Sequence, residues 1–118
     1  MAALVGAISG YAKRRRPGFL IVPQNGEELL RIADYRRVVD GIGKEDLVYG
    51  VKGDGLPNGA EEIKRGIDDL NLARAAGHPV FVVEYISDPT KRAAVQRQLA
   101  SRGFIVHFAL RDLRHVPE

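Results

Sequence analysis

Gly18-Phe19-Leu20-Ile21-Val22-Pro23-Gln24-Asn25-Gly26-Glu27-Glu28-Leu29-Leu30 carries the pattern on which the fold turns. Gly18 to Val22 is apolar and reads as a buried strand, which Pro23 ends. Gln24 and Asn25 then present their amides where the chain leaves the strand. Asn25-Gly26 turns into a helix whose first turn carries Glu27 and Glu28, the charge sign that a helix N-terminus favours. A strand that delivers polar side chains at its C-terminal end, just before a helix, is how α/β proteins build ligand sites.

The pattern recurs along the chain. Phe19–Pro23, Val38–Ile42, Val80–Tyr85 and Phe104–Ala109 are apolar, rich in β-branched or aromatic residues, and predicted to be strands. Their near-continuous apolar character predicts parallel strands covered on both faces. Helical patterns occupy Glu27 to Ala33, Ala60 to Ala76 and Thr90 to Arg102, with Gly77 and Gly103 placed as C-terminal caps. A further helix is predicted from the N-terminus to Arg16, ended by Pro17-Gly18. This order predicts an α/β fold. Residues 1–118 read as a single domain, with no repeat or linker and no second domain, and Val51 to Gly59 as a Gly-rich loop of the functional or mobile kind.

Composition narrows the function. The chain is 45% apolar and 28% charged, as in ordinary globular proteins. It has no Cys, which excludes a disulfide framework, a thiolate metal site and a Cys nucleophile while leaving the compartment open. Most of the net charge of +3 comes from Lys13-Arg14-Arg15-Arg16, a phosphate-binding patch or the cationic end of a helix. No aromatics are interleaved with basic residues, so nucleic acid is not the expected partner. The apolar start Met1 to Ile8 lacks the preceding basic residues of a signal peptide and the ~18 apolar residues of a membrane span. No membrane partner is expected.

Chemistry is expected just past the strand ends, at Gln24 and Asn25, at Asp40, Glu45 and Asp46, at Glu84, Tyr85 and Asp88, and at Arg111 and Asp112. Amides, carboxylates and a Tyr on one rim suit a polar, multi-hydroxyl ligand such as a sugar. The same residues serve as turns and caps: Asp88 before Pro89-Thr90 has the form of an N-cap, and Tyr85 that of a core filler. Glu84 lies in an apolar strand, where an unpaired carboxylate would be costly. Two carboxylates flanking one bond are the minimal equipment for glycoside hydrolysis, and Asp40-Gly41-Ile42-Gly43-Lys44-Glu45-Asp46 is the best local candidate. Its alternative reading is an exposed turn before Leu47. Gly43-Lys44 lacks the rest of a phosphate loop, and the glycines from Gly50 to Gly55 lack dinucleotide spacing. His78, His107 and His115 lack metal-ligand spacing; His78 reads as a turn residue and His107 as a packed strand residue. Ser9, Ser87 and Ser101 lie in no nucleophile elbow. Neither a metal nor a cofactor is expected.

Four blocks resemble a family. Phe19-Leu20-Ile21-Val22-Pro23-Gln24-Asn25-Gly26-Glu27-Glu28-Leu29, Asp40-Gly41-Ile42-Gly43-Lys44-Glu45-Asp46-Leu47-Val48-Tyr49, Val80-Phe81-Val82-Val83-Glu84-Tyr85, and Gly103-Phe104 with Arg111-Asp112-Leu113 are similar, in order, to blocks of glycoside hydrolase family 114, the endo-α-1,4-polygalactosaminidases and their relatives. The resemblance implies the C-terminal half of a (β/α)8 TIM barrel, four parallel strands with flanking helices. It implies Glu45 as the catalytic carboxylate, with Gln24, Asn25, Glu84 and Tyr85 lining the site for an amino-sugar polysaccharide. Asp40 is expected to bind the cationic polymer as part of an acidic rim with Glu45, Asp46, Glu84 and Asp88. The family's other catalytic carboxylate lies in an Asp-Gly-x-x-Leu-Asp block, which this sequence lacks. The expected activity therefore needs completion, by a homodimer or by the missing N-terminal half. The alternative is a non-catalytic open α/β module that binds a protein or nucleic acid through Lys13–Arg16.

Overall fold

A computed structural model describes residues 1–112. Leu113, which closes the last block quoted above, lies outside them. The elements are α1 (Ala2–Arg15), a 3-10 turn (Glu27–Arg31), α2 (Ala33–Val38), β1 (Ile42–Glu45), α3 (Ala60–Ala75), β2 (Val80–Glu84), α4 (Pro89–Ala100) and β3 (Ile105–Phe108). The fold is α/β, and the three strands form one parallel sheet in the order β1-β2-β3.

Two of the predicted strands take a different form. Val38 ends α2, and pairing starts only at Ile42, so the strand predicted at Val38–Ile42 shifts to Ile42–Glu45. Phe19–Pro23 runs alongside β1 without becoming a regular strand. Asp40 N–H donates to Ile21 O (2.8 Å), Gly43 N–H to Pro23 O (2.8 Å) and Asn25 N–H to Gly43 O (2.7 Å), yet only Gln24 forms a ladder bridge, with Gly43. The helix predicted from Glu27 to Ala33 splits because Ile32 is extended (φ −86°, ψ 115°) between the 3-10 turn and α2.

Local chemistry explains the remaining boundaries. Asp88 caps α4 by accepting from Thr90 N–H (2.8 Å) and Lys91 N–H (3.3 Å), with Pro89 opening the helix. Gly77 and Gly103 follow α3 and α4 at φ 84° and 80°, a conformation that favours glycine at a helix end. Ile67, Leu70 and Ala73 on α3 and Val95 and Leu99 on α4 recur at helical spacing and are buried against the strands.

Coverage of the sheet is one-sided, against the expectation of two covered faces. Val80 and Val82 in the middle strand are 0% exposed and belong to the core that α3 and α4 complete. Phe81, between them in sequence, is 38% exposed, and its β3 partner Ile105 is 54% exposed. In-register neighbours of a parallel sheet share a face. Gly43, Phe81 and Ile105 therefore line the uncovered face, as do Glu45, Val83 and His107. His107 is exposed there rather than packed.

Asp40 serves the opposite end of the sheet from Glu45, because it precedes the start of β1. Its Oδ2 accepts from Lys13 Nζ (2.6 Å) and Ile21 N–H (2.8 Å), and Lys13 also donates to Ser9 Oγ (3.0 Å), whose hydroxyl donates to Val38 O (2.6 Å). This cluster fastens α1 and the Phe19–Pro23 segment to α2. Burial alone would raise the Asp40 pKa, but Lys13 and the Ile21 N–H outweigh it and lower the value from the ordinary 3.8. The stability gained is thus present above about pH 4 and is lost as pH falls through the depressed value. Asp40→Ala should cost about 1–2 kcal/mol in urea denaturation at pH 7 and remove this acid-side loss, an effect on stability rather than on ligand binding.

Candidate functional site

Glu45 closes β1 on the uncovered face, and Tyr85 follows β2 directly. The Tyr85 hydroxyl donates to Glu45 Oε1 at 2.5 Å. Asn25, just past the extended segment, holds the same residue by both ends of its amide. Its Oδ1 accepts the Glu45 N–H at 2.9 Å, and its Nδ2 faces Glu45 Oε2 at 3.4 Å. Asn25 reaches this position in the left-handed region (φ 60°), which Asn tolerates better than most residues, and Gly26 follows at φ 68°. The Gln24 side chain also helps to lower the pKa of the Glu45 carboxylate.

These contacts set the protonation states. The Tyr85 hydrogen bond, aided by Asn25, Gln24 and the charge of Arg111, lowers the Glu45 pKa against the opposing effect of burial. The same bond, with burial and the Glu45 charge, pushes the Tyr85 hydroxyl up to about 12. At neutral pH the pair is a carboxylate and a neutral phenol. Glu45 can accept a proton or attack an electrophilic carbon, but it is not poised to donate a proton.

Arg111 holds Tyr85 from above. Its guanidinium lies 4.3 Å from the ring centroid, while Nη2 and Nη1 reach the Asp46 carboxylate at 2.9 and 3.3 Å and Nε reaches Asp54 at 2.8 Å. The two carboxylates raise the Arg111 pKa further, so it stays charged. Asp46 comes so close to Gly50 that a Cβ there would lie 2.3 Å from its Oδ1, and Gly50 sits at φ 113°. Only glycine fits. Asn58 closes the same loop, donating to Asp46 O (2.8 Å) and Leu47 O (3.0 Å) and accepting from Val51 N–H (3.0 Å). The Gly-rich segment is therefore tied down at both ends.

Glu84, expected to bind ligand, is 0% exposed. Its oxygens accept from Val48 N–H (2.8 Å) and Tyr49 N–H (3.3 Å), so it anchors the loop that follows Glu45. Asp40, at the other end of β1, likewise cannot join Glu45. The structure brings together Gln24, Asn25, Glu45 and Tyr85. Lys44, on the opposite face from Glu45, pairs with Glu27 at 3.0 Å. A pocket of about 250 Å³ adjoins Tyr85, lined also by Asp54, Ile86, Asp88, Lys91 and Arg111. Among the described residues no cluster of three His, Cys, Asp or Glu could hold a metal ion.

The chain has relatives of known sequence. It is 32% identical over 114 residues to an uncharacterised protein of Deinococcus radiodurans, a match covering 96% of this chain and 36% of that protein. It is 35% identical over 96 residues to an uncharacterised protein of Methanocaldococcus jannaschii, covering 77% of this chain and 27% of that one. A Thermotoga maritima protein, also uncharacterised, is 31% identical over 90 residues, covering 75% and 27%. The chain spans about a third of the length of these curated relatives. No family model matches it.

Burial raises the Glu84 pKa from the ordinary 4.5, and the backbone N–H groups offset this only in part. A carboxyl with a raised folded value costs stability as pH rises above its unfolded value. Glu84→Gln turns one acceptor oxygen into an NH2 group facing the Tyr49 N–H. It should destabilise the protein by about 1–3 kcal/mol and flatten that pH dependence in denaturant titrations, with faster amide exchange at Val48 and Tyr49.

Proposed function

We propose that this chain carries one side of a glycosidase site, with Glu45 as its base or nucleophile, acting on an amino-sugar polysaccharide. The observation that carries the reading is the Glu45 carboxylate kept ionised by Tyr85, Asn25 and Gln24 at a strand C-terminus. In two-carboxylate glycoside hydrolysis, the ionised group attacks the anomeric carbon or takes a proton from the attacking water, and a protonated carboxyl delivers a proton to the leaving oxygen. Glu45 fits the first role. Glu84, buried under the loop, does not reach the open face for the second. In the family that the sequence resembles, the acid lies in an Asp-Gly-x-x-Leu-Asp block, which this sequence lacks, so on this reading the acid comes from a completing partner.

The half-barrel architecture is part of the same proposal. Support comes from sequential parallel strands with α3 and α4 packed on one face, and from an extended segment continuing the sheet beyond β1. In a closed barrel the open face carrying Phe81, Ile105 and Glu45 would be the interior, and the catalytic residues would lie at the strand C-termini, as Glu45 and Tyr85 do. Asp46 and Asp54 are paired with Arg111, and Lys91 and Arg92 line the pocket with Asp88, so Glu45 is the carboxylate proposed to meet a cationic sugar unit. Asp40 and Glu84 drop out of the expected acidic rim.

The test uses immobilised de-N-acetylated polygalactosamine. The wild-type chain should be retained, and Glu45→Gln should weaken retention by about tenfold, the effect of losing roughly 1.4 kcal/mol of charge attraction. Hydrolysis should appear only when a second carboxyl is supplied by the completing partner. Equal retention of wild type and Glu45→Gln would exclude the reading.

A further inference from the structure

Helix α1 is apolar on two sides. Ala2 and Val5 pack against the core and Ser9 bonds to Val38 O, which accounts for its inner face. On the outer side Met1, Leu4, Ile8 and Tyr11 are 79%, 56%, 49% and 55% exposed. These positions alternate by three and four residues, the spacing of a helix–helix seam, and Arg15 continues it with its guanidinium 4.5 Å from the Tyr11 ring centroid. The stretch that follows adds Phe19, Leu20 and Val22, at 44%, 69% and 47% exposed. That stretch runs alongside β1, so its exposed side chains lie on the flank beyond that strand.

The charge carried by the N-terminal stretch itself has one sign. Residues 1–26 contain Lys13, Arg14, Arg15 and Arg16 and no Asp or Glu. Lys13 is spent on Asp40, while among the described residues no carboxylate forms an ion pair with Arg14, Arg15 or Arg16, all of them exposed. In a second copy packed through α1, parallel helices would set the two basic clusters against each other, and antiparallel helices would face each cluster with residues 1–4, which carry no carboxylate. Toward the far edge α4 and the turn after it offer Arg97 and Arg102, also exposed and basic. The seam also does not suit a lipid surface. Interfacial helices spread their cations along the polar face, whereas here they gather in and just after the last turn.

We propose that the outer seam of α1, with Phe19 to Val22, docks an acidic amphipathic helix from a different polypeptide segment. Apolar side chains of that helix enter the Leu4-Ile8-Tyr11 seam, and its carboxylates pair with Arg14, Arg15 and Arg16. The Deinococcus relative contains the room for such a segment, since its match takes in 96% of this chain and only 36% of that protein. The inference stands apart from the sugar-hydrolysing reading because it is scored by mass and protection, not by turnover.

The experiment co-expresses this chain with the part of the Deinococcus relative outside the match and measures mass by light scattering. The expected result is a monomeric chain when alone and a one-to-one complex with the added part. Raising salt from about 50 to about 300 mM should weaken that complex at least tenfold. Ile8→Asp, and separately Arg14→Glu with Arg16→Glu, should each weaken it by at least as much while leaving the circular dichroism of the chain unchanged. In the intact relative, side chains aligned with Leu4, Ile8 and Tyr11 should resist carbene labelling, which keeps the test decisive if the added part does not fold separately. A homodimer through α1, sedimentation with phosphatidylglycerol vesicles, a complex indifferent to these substitutions, or full labelling of the aligned seam would each overturn the proposal.

Discussion

A buried carboxylate organises this molecule. Glu84 sits at the end of the central strand with no exposure to solvent, where a charge or an unpaired acid would be costly. Its cost is offset in part by backbone N–H groups of Val48 and Tyr49, which belong to the loop leaving β1. That requirement fixes the path of the loop, because the chain must turn back over the end of β2 to supply its donors. Asp46, at the start of the turn, is thereby aimed at Arg111, and Arg111 is spread over the Tyr85 ring. Tyr85 in turn directs its hydroxyl at Glu45. The site's protonation state is thus connected, contact by contact, to a burial constraint in the core.

The open face gives the second half of the account. A parallel sheet with helices on one face leaves its other face to water or to a partner. Here that face bears Phe81 and Ile105 together with the ionised Glu45. Exposed apolar area thus lies beside an organised polar corner, in a chain that spans about a third of the length of its relatives.

Much of this was legible in the sequence, wherever short-range rules decided the outcome. Pro23-Gln24-Asn25-Gly26 marked a strand exit, and its two residues with positive φ are where Asn and Gly stand. Asp88-Pro89 marked a cap, and Gly77 and Gly103 marked helix ends. Glu45, Asn25, Gln24 and Tyr85 do meet. What was hidden depended on partners far along the chain. Nothing near Glu84 announces that its donors lie 36 and 35 residues earlier, and nothing near Asp40 points to Lys13, 27 residues away. Arg111 finds Asp54 and Asp46 at separations of 57 and 65. The strand expected at Val38 moved because the helix containing buried Tyr35 runs on to that residue, delaying the sheet until Ile42.

Tyr85 and the Asn25 amide hold Glu45 as a carboxylate at the strand end. The most direct test is a side-chain carboxyl carbon-13 titration of Glu45 in wild type and in Tyr85→Phe. The wild-type midpoint should lie below the ordinary 4.5 and move clearly upward when the phenol is removed. A wild-type midpoint at or above 4.5, or one that Tyr85→Phe leaves in place, would contradict that hold on Glu45.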